Sequence, residues 1–159
     1  MKDNKVKITN SYVSHSNSID FEVSGCVLIH ENKFLVLQRN PQKPYGGTWC
    51  LPAGKKEAQE SPIETLIRET KEEIGVCLKN QRLEKIGSFH IDIGSSCFLF
   101  HVYFHITEVK PQLEINTVEH TNHDWISFDE LEKHDLIISG REVLNYCKTF
   151  LLKRFFFES

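Results

Sequence analysis

Ser61, Pro62, Glu64 and Gly75 bracket a helix that can be read residue by residue, and no other stretch of the chain leaves so little choice of conformation. Serine suits the N-cap, proline the first helical position, where its missing N–H is not needed, and a glutamate at the third position closes a capping box. Gly75 suits the left-handed residue just past the last turn. The spacing predicts a helix over Pro62 to Ile74, with Ile63, Leu66, Ile67, Thr70 and Ile74 recurring at i, i+3, i+4 as its buried stripe. Glu69, Glu72 and Glu73 then share a neighbouring sector, about 125° around the axis at about 100° per residue. Like charges at those spacings repel, and anions near a helix C-terminus oppose its dipole, each effect worth up to about 1 kcal/mol. Something must offset that cost.

Around this helix the chain reads as strands. "FEVSGCVLIH" and "KFLVLQR" are apolar, β-branched runs joined by the turn-like "ENK", a hairpin that follows a polar leader over residues 1–19, itself expected to be flexible or an edge strand. "NPQKPYGGTW" gathers prolines and glycines and is expected as a loop leading into the short apolar "WCLP". "RLEKIGSFHID" and "SCFLFHVYFHITEV" read as strands joined at "IGS", and "HDWISF" as another, while "DELEKH" and "SGREVLNYCKTFLLKRFFF" read as helical. Strands interleaved with helices imply an α/β (α+β) fold, a mixed sheet covered by helices on its faces.

At 159 residues the chain is the size of one domain and is expected to be a single one over 1–159. A net charge of −3 with mixed signs provides no basic stripe for a nucleic-acid backbone. The N-terminal "MKDNKVKITN" lacks the apolar core of a signal peptide and no run reaches the roughly 20 apolar residues that span a bilayer, so the expectation is a cytoplasmic protein with no stable nucleic-acid or membrane partner. Its five cysteines are scattered without a C-x-x-C pair, which argues against disulfides and zinc and for reduced, mostly buried thiols.

Gly54, five residues, Glu60, seven residues, Arg68-Glu69, two residues, Glu72-Glu73, one residue, Gly75 and the aliphatic Val76 resemble the Nudix box in every fixed position. The flanks "LVLQR", "GTWCLPAGK" and "EHTNHDWISFDEL" are similar to what surrounds the box in family members. Ala53 stands where a second glycine is usual, Gln59 where glycine commonly precedes the glutamate, and Thr70 where an apolar residue is most frequent. The resemblance implies an α-β-α sandwich and a pyrophosphohydrolase: water attacks a diphosphate linkage in a nucleoside diphosphate joined to a further moiety. A nucleoside triphosphate is the first expectation for the substrate, then a nucleotide sugar or ADP-ribose. The rival reading is a Nudix-fold module that binds a nucleotide without cleaving it, and no box carboxylate is lost to favour it.

A phosphoanhydride is shielded by its own negative charge, and a divalent cation removes that shield. Magnesium or manganese prefers hard oxygen ligands, which suits carboxylates on a rigid helix. The resemblance thus makes Mg²⁺ (or Mn²⁺) the cofactor and assigns Glu69, Glu72, Glu73, the Ala53 carbonyl and Gly54 to the metal, with Glu60 as an auxiliary. Arg68 is expected to orient carboxylates, and Glu73 and Glu119 are the two candidates for general base. Arg39, at a strand end beside a loop, can clamp a phosphate bidentately, and Lys55 with Lys56 can attract polyphosphate.

Tyr45, Trp49, Phe89 and Phe98 are candidates to stack on a base, with core packing as the ordinary role of aromatics on strands. His101 with His105 on one strand, and His120 with His123 in an expected loop, read as structural or incidental because neither pair has a third ligand at metal spacing. The C-terminal "LLKRFFF" is expected to pack on the sheet or to form a homodimer contact.

Overall fold

The helix runs where its punctuation places it. In the computed structural model, which describes residues 5–9 and 18–156, α1 spans Pro62–Ile74. The Ser61 side chain accepts the Glu64 N–H at 3.2 Å and the Glu64 carboxylate accepts the Ser61 N–H at 2.7 Å. Gly75 takes φ 72°, and its N–H closes the last turn on the Lys71 carbonyl. Removing such a cap costs about 1 kcal/mol.

Among the described residues eight strands form one mixed sheet: β1 Lys5–Thr9, β2 Phe21–His30, β3 Lys33–Arg39, β4 Trp49–Cys50, β5 Ala53–Lys55, β6 Glu84–Asp92, β7 Cys97–Ile106 and β8 His120–Ile126. The order is β1-β6-β7-β2-β3-β4, with β5 added to β2 and β8 to β3. β2 and β7 pair in parallel and the other named pairs are antiparallel. A 3-10 helix, Phe128–Lys133, and α2, Gly140–Phe156, follow β8.

β2 and β3 are buried on both faces, which is why they read as unbroken apolar runs. Cys26 and Leu28 of β2 and Leu35 and Leu37 of β3 pack with Leu66 and Ile74 of α1. Val27, Phe34 and Val36, the alternate residues, pack with Val143, Leu144 and Cys147 of α2. Helices therefore cover both faces of the mixed sheet, the expected sandwich. Each face is held by the hydrophobic effect at about 25 cal/mol per Å² of apolar surface removed from water.

Four local expectations are corrected. Ile63 is 38% exposed, and Thr65 takes the buried place in that turn because its hydroxyl bonds to Glu60 and to the Ser61 carbonyl. Glu73 is buried with the stripe: it lies seven residues after Leu66, and seven steps of about 100° return to within about 20° of the same direction. "DELEKH" is 3-10 rather than α-helical, and His120 and His123 stand in β8 rather than in a loop, paired with β3.

Within the leader, Lys5–Thr9 form β1 against β6, and residues 1–4 and 10–17 lie outside the described residues, as do Phe157 to Ser159 of the terminal run. Leu151 is buried, while Phe155 is 46% exposed with its ring edge-on to Phe104 at 6.0 Å. All five cysteines are free, and burial pushes the Cys26 and Cys147 thiols up to about 12. Among the described residues no helix is long and apolar enough to cross a membrane.

Candidate active site

A cavity of about 540 Å³ gathers residues from α1, β5, the loop after β3 and the start of α2. One wall is acidic: Glu69, Glu72 and Glu73 face in beside Ala53 and Gly54. Another is apolar, with Phe98, Phe100, Val143 and Leu144. Arg39, Tyr45, Trp49, Lys55 and Glu119 also line it. Sites that hold a polar, charged group at one end and a ring at the other are built this way.

Arg68 organises the carboxylates from behind. Its Nη1 donates to Glu69 Oε1 at 2.6 Å and to Glu72 Oε2 at 3.3 Å, while Nη2 donates to Glu60 Oε2 at 3.0 Å and to the Lys55 carbonyl at 2.9 Å. Its Nε donates to the other Glu60 oxygen, making the pair bidentate. Arg68 hydrogen bonding holds the Glu60 carboxyl well below the usual range, at about 2. Glu60 is thus committed to Arg68 and to Thr65, and it does not line the cavity. Arg68 does not line it either.

Glu69 reaches the cavity because Gly54 has no side chain. A β-carbon at Gly54 would overlap the Glu69 carboxylate. Burial raises the Glu69 carboxyl above its ordinary value, with Arg68 opposing the shift. Glu73 is deeper: burial raises its carboxyl too, opposed by His120 and by the Ala53 N–H. Its Oε2 accepts the Ala53 N–H at 2.8 Å and its Oε1 bonds to His120 Nε2 at 3.0 Å. Glu72 is the most open of the three, its side chain 57% exposed.

Arg39 Nε donates to the Pro44 carbonyl at 2.8 Å, which fixes the guanidinium against the loop. Lys43 Nζ bonds Glu119 Oε1 at 2.7 Å, and the Asn40 N–H donates to the Glu119 carbonyl at 2.9 Å. Lys55 lies over the Phe21 ring at 4.1 Å, and Lys56 turns to Glu22 at 3.7 Å. Of the aromatic candidates, Tyr45, Trp49 and Phe98 line the cavity, while Phe89 is fully buried against Tyr146.

Two residues here were not read as part of the site from the sequence. His120 bonds to Glu73 across 47 positions, beyond the reach of any local pattern. Ser139 takes φ 64° ahead of α2 and is 8% exposed, with its Oγ buried in the cavity wall and without a hydrogen-bond partner among the described residues. The "SG" helix start was its only signal.

The NUDIX domain family model matches residues 21–147. The chain belongs to the Nudix family. Nudix hydrolases act on phosphoanhydride bonds and generally need a divalent metal. The chain is 40% identical over 72 residues to the uncharacterized Nudix hydrolase YvcI of Bacillus subtilis (strain 168), a match covering 45% of this chain and 43% of that protein. It is 27% identical over 115 residues to the CTP pyrophosphohydrolase of Escherichia coli (strain K12), covering 72% of this chain and 82% of that one. The crystal structure of the MutT protein from Methanosarcina mazei Go1 superposes with a TM-score of 0.72 at 20% identity, over 89% of this chain and 99% of that one, a likeness of fold.

Proposed function

We propose that this Nudix chain, acting as one domain in the cytoplasm, cleaves a diphosphate linkage in a nucleoside diphosphate joined to a further group, and that its first substrate is a nucleoside triphosphate. One cavity joins the carboxylates to apolar and aromatic side chains, which supports separate places for a charged phosphate chain and a flat base. Similarity to a CTP pyrophosphohydrolase over most of both chains supports the same reading.

The residues fit a divalent cation. The donors are hard oxygens, Gly54 leaves space for one of them, and burial penalises the charge on Glu69 and Glu73, which a cation would relieve. Among the described residues no three His, Cys, Asp or Glu side chains close into a cage. Magnesium needs none, since it keeps several waters and takes one or two carboxylates plus substrate phosphate. Glu69, Glu72, Glu73 and the Ala53 carbonyl would hold Mg²⁺ or Mn²⁺, which supplies neutralisation of phosphate charge and polarisation at phosphorus.

Arg39 and Lys55 bind the phosphates, and Arg68, bonded to both Glu69 and Glu72 through Nη1, holds the two carboxylates in place. Each oxygen of the Glu73 carboxylate already takes a hydrogen bond, whereas Lys43 engages Oε1 of Glu119, which supports Glu119, through its other oxygen, as the group that takes the proton of the attacking water. Tyr45 and Trp49 offer faces for a base.

Purified protein with Mg²⁺ or Mn²⁺ is incubated with nucleoside triphosphates, nucleotide sugars, ADP-ribose and dinucleoside polyphosphates, and products are separated by anion exchange. Nucleoside monophosphate and pyrophosphate from a triphosphate are expected. Binding without turnover of any member would establish the non-catalytic module instead.

A further inference from the structure

The segment from Glu114 to His120 is stitched onto the end of α1. The Glu114 N–H donates to the Ile74 carbonyl at 2.9 Å and the Asn116 N–H to the Glu73 carbonyl at 2.8 Å, which satisfies two of the carbonyls that a helix leaves open at its C-terminus. Asn116 in turn accepts the His120 N–H at 3.0 Å. The His120 ring therefore arrives at Glu73 from a loop already fixed to the Glu73 backbone. The two side chains are 1% and 11% exposed.

We infer that His120 is a positioning residue: its imidazole holds the Glu73 carboxylate in the orientation that receives the cation. This rests on the metal-dependent hydrolase reading above. An ionised carboxylate only accepts hydrogen bonds, so Nε2 carries the proton and donates to Oε1. The Ala53 N–H holds Oε2, so both oxygens are tied and each keeps a lone pair. Without His120 the terminal torsion of Glu73, which has no sharp rotamer preference, would be held at one oxygen only.

The other ring nitrogen strengthens the case. Nδ1 is buried and makes no hydrogen bond among the described residues, so the polar contact of this ring is the one to Glu73. Burying an imidazole with one nitrogen unpaired costs free energy that a space-filling apolar residue would not. The cost is consistent with a job done through Nε2. Partners of metal-binding side chains typically change metal affinity or activity by about 10–100-fold when removed.

The test compares wild type, H120F, which keeps bulk and drops the donor, and H120Q, whose amide nitrogen falls near the Nε2 position. Mn²⁺ affinity is measured without substrate by electron paramagnetic resonance, and kcat and KM are measured separately. The expected result is a Kd for Mn²⁺ raised about 10–100-fold and a lowered kcat with little change in KM for H120F, and values within about threefold of wild type for H120Q. H120M replaces H120F under the same criteria if the latter does not fold. Mn²⁺ affinity and kcat of H120F within about twofold of wild type, or H120F and H120Q equally impaired, overturn the positioning role and leave the hydrolase reading standing. A wild type that binds no Mn²⁺ overturns both.

Discussion

Gly54 lies against the carboxylate of Glu69, so closely that the smallest side chain at residue 54 would occupy the same space. The glycine is in a strand, paired with Ser24 of β2, where backbone conformation does not demand it. Space for the carboxylate does. Gly54→Ala is expected to push Glu69 off the cavity wall and lower kcat/KM at least about tenfold, while overpacking costs about 1–3 kcal/mol of stability. Steady-state kinetics with thermal melting separates the two effects. Unchanged kinetics in a folded variant would show that Glu69 is not held at the site by this contact.

The pairing of Glu60 with Arg68 makes a pH prediction whose sign is fixed. The folded-state carboxyl sits at about 2, below the ordinary 4.5, so as pH falls the unfolded chain takes the proton first. Stability from this group is complete above about pH 4.5 and is lost as pH falls toward about 2. Glu60→Gln should lower stability at neutral pH and flatten that acid limb, read from urea midpoints between about pH 6 and pH 2.5. An equally steep acid limb in the variant would assign the loss to other groups, such as Glu64 or Glu130, whose carboxyls are also lowered.

Ser139 carries a buried hydroxyl without a hydrogen-bond partner among the described residues, and an unpaired buried donor costs about 1–3 kcal/mol. Ser139→Ala, which removes that donor, is expected to leave stability unchanged or raise it, read from thermal melting. A loss of more than about 1 kcal/mol in the variant would show that the hydroxyl has a partner in solution.

What the sequence revealed, and what it hid, follows from the range of each interaction. α1 was legible to the residue because Ser61, Glu64 and Gly75 act on groups three or four positions away. The runs of β2 and β3 were legible because burial on both faces leaves no polar alternation to interpret. The burial of Glu73 was readable in principle, since Leu66 and Glu73 are a heptad apart, but averaging the three carboxylates into one helical sector set it on the face of Glu69 and Glu72. The parallel pairing of β2 with β7, the three-residue β5 and the contact of His120 with Glu73 had no local signal. Each depends on segments that folding alone brings together.

If Glu69, Glu72 and Glu73 are gathered to hold a divalent cation against a phosphate chain, a crystal grown with Mn²⁺ and a slowly cleaved nucleoside triphosphate analogue will show an anomalous peak at about 2.0–2.2 Å from oxygens of at least two of these carboxylates, with a phosphate oxygen in the shell. A bound nucleotide with no peak among these carboxylates would contradict that role.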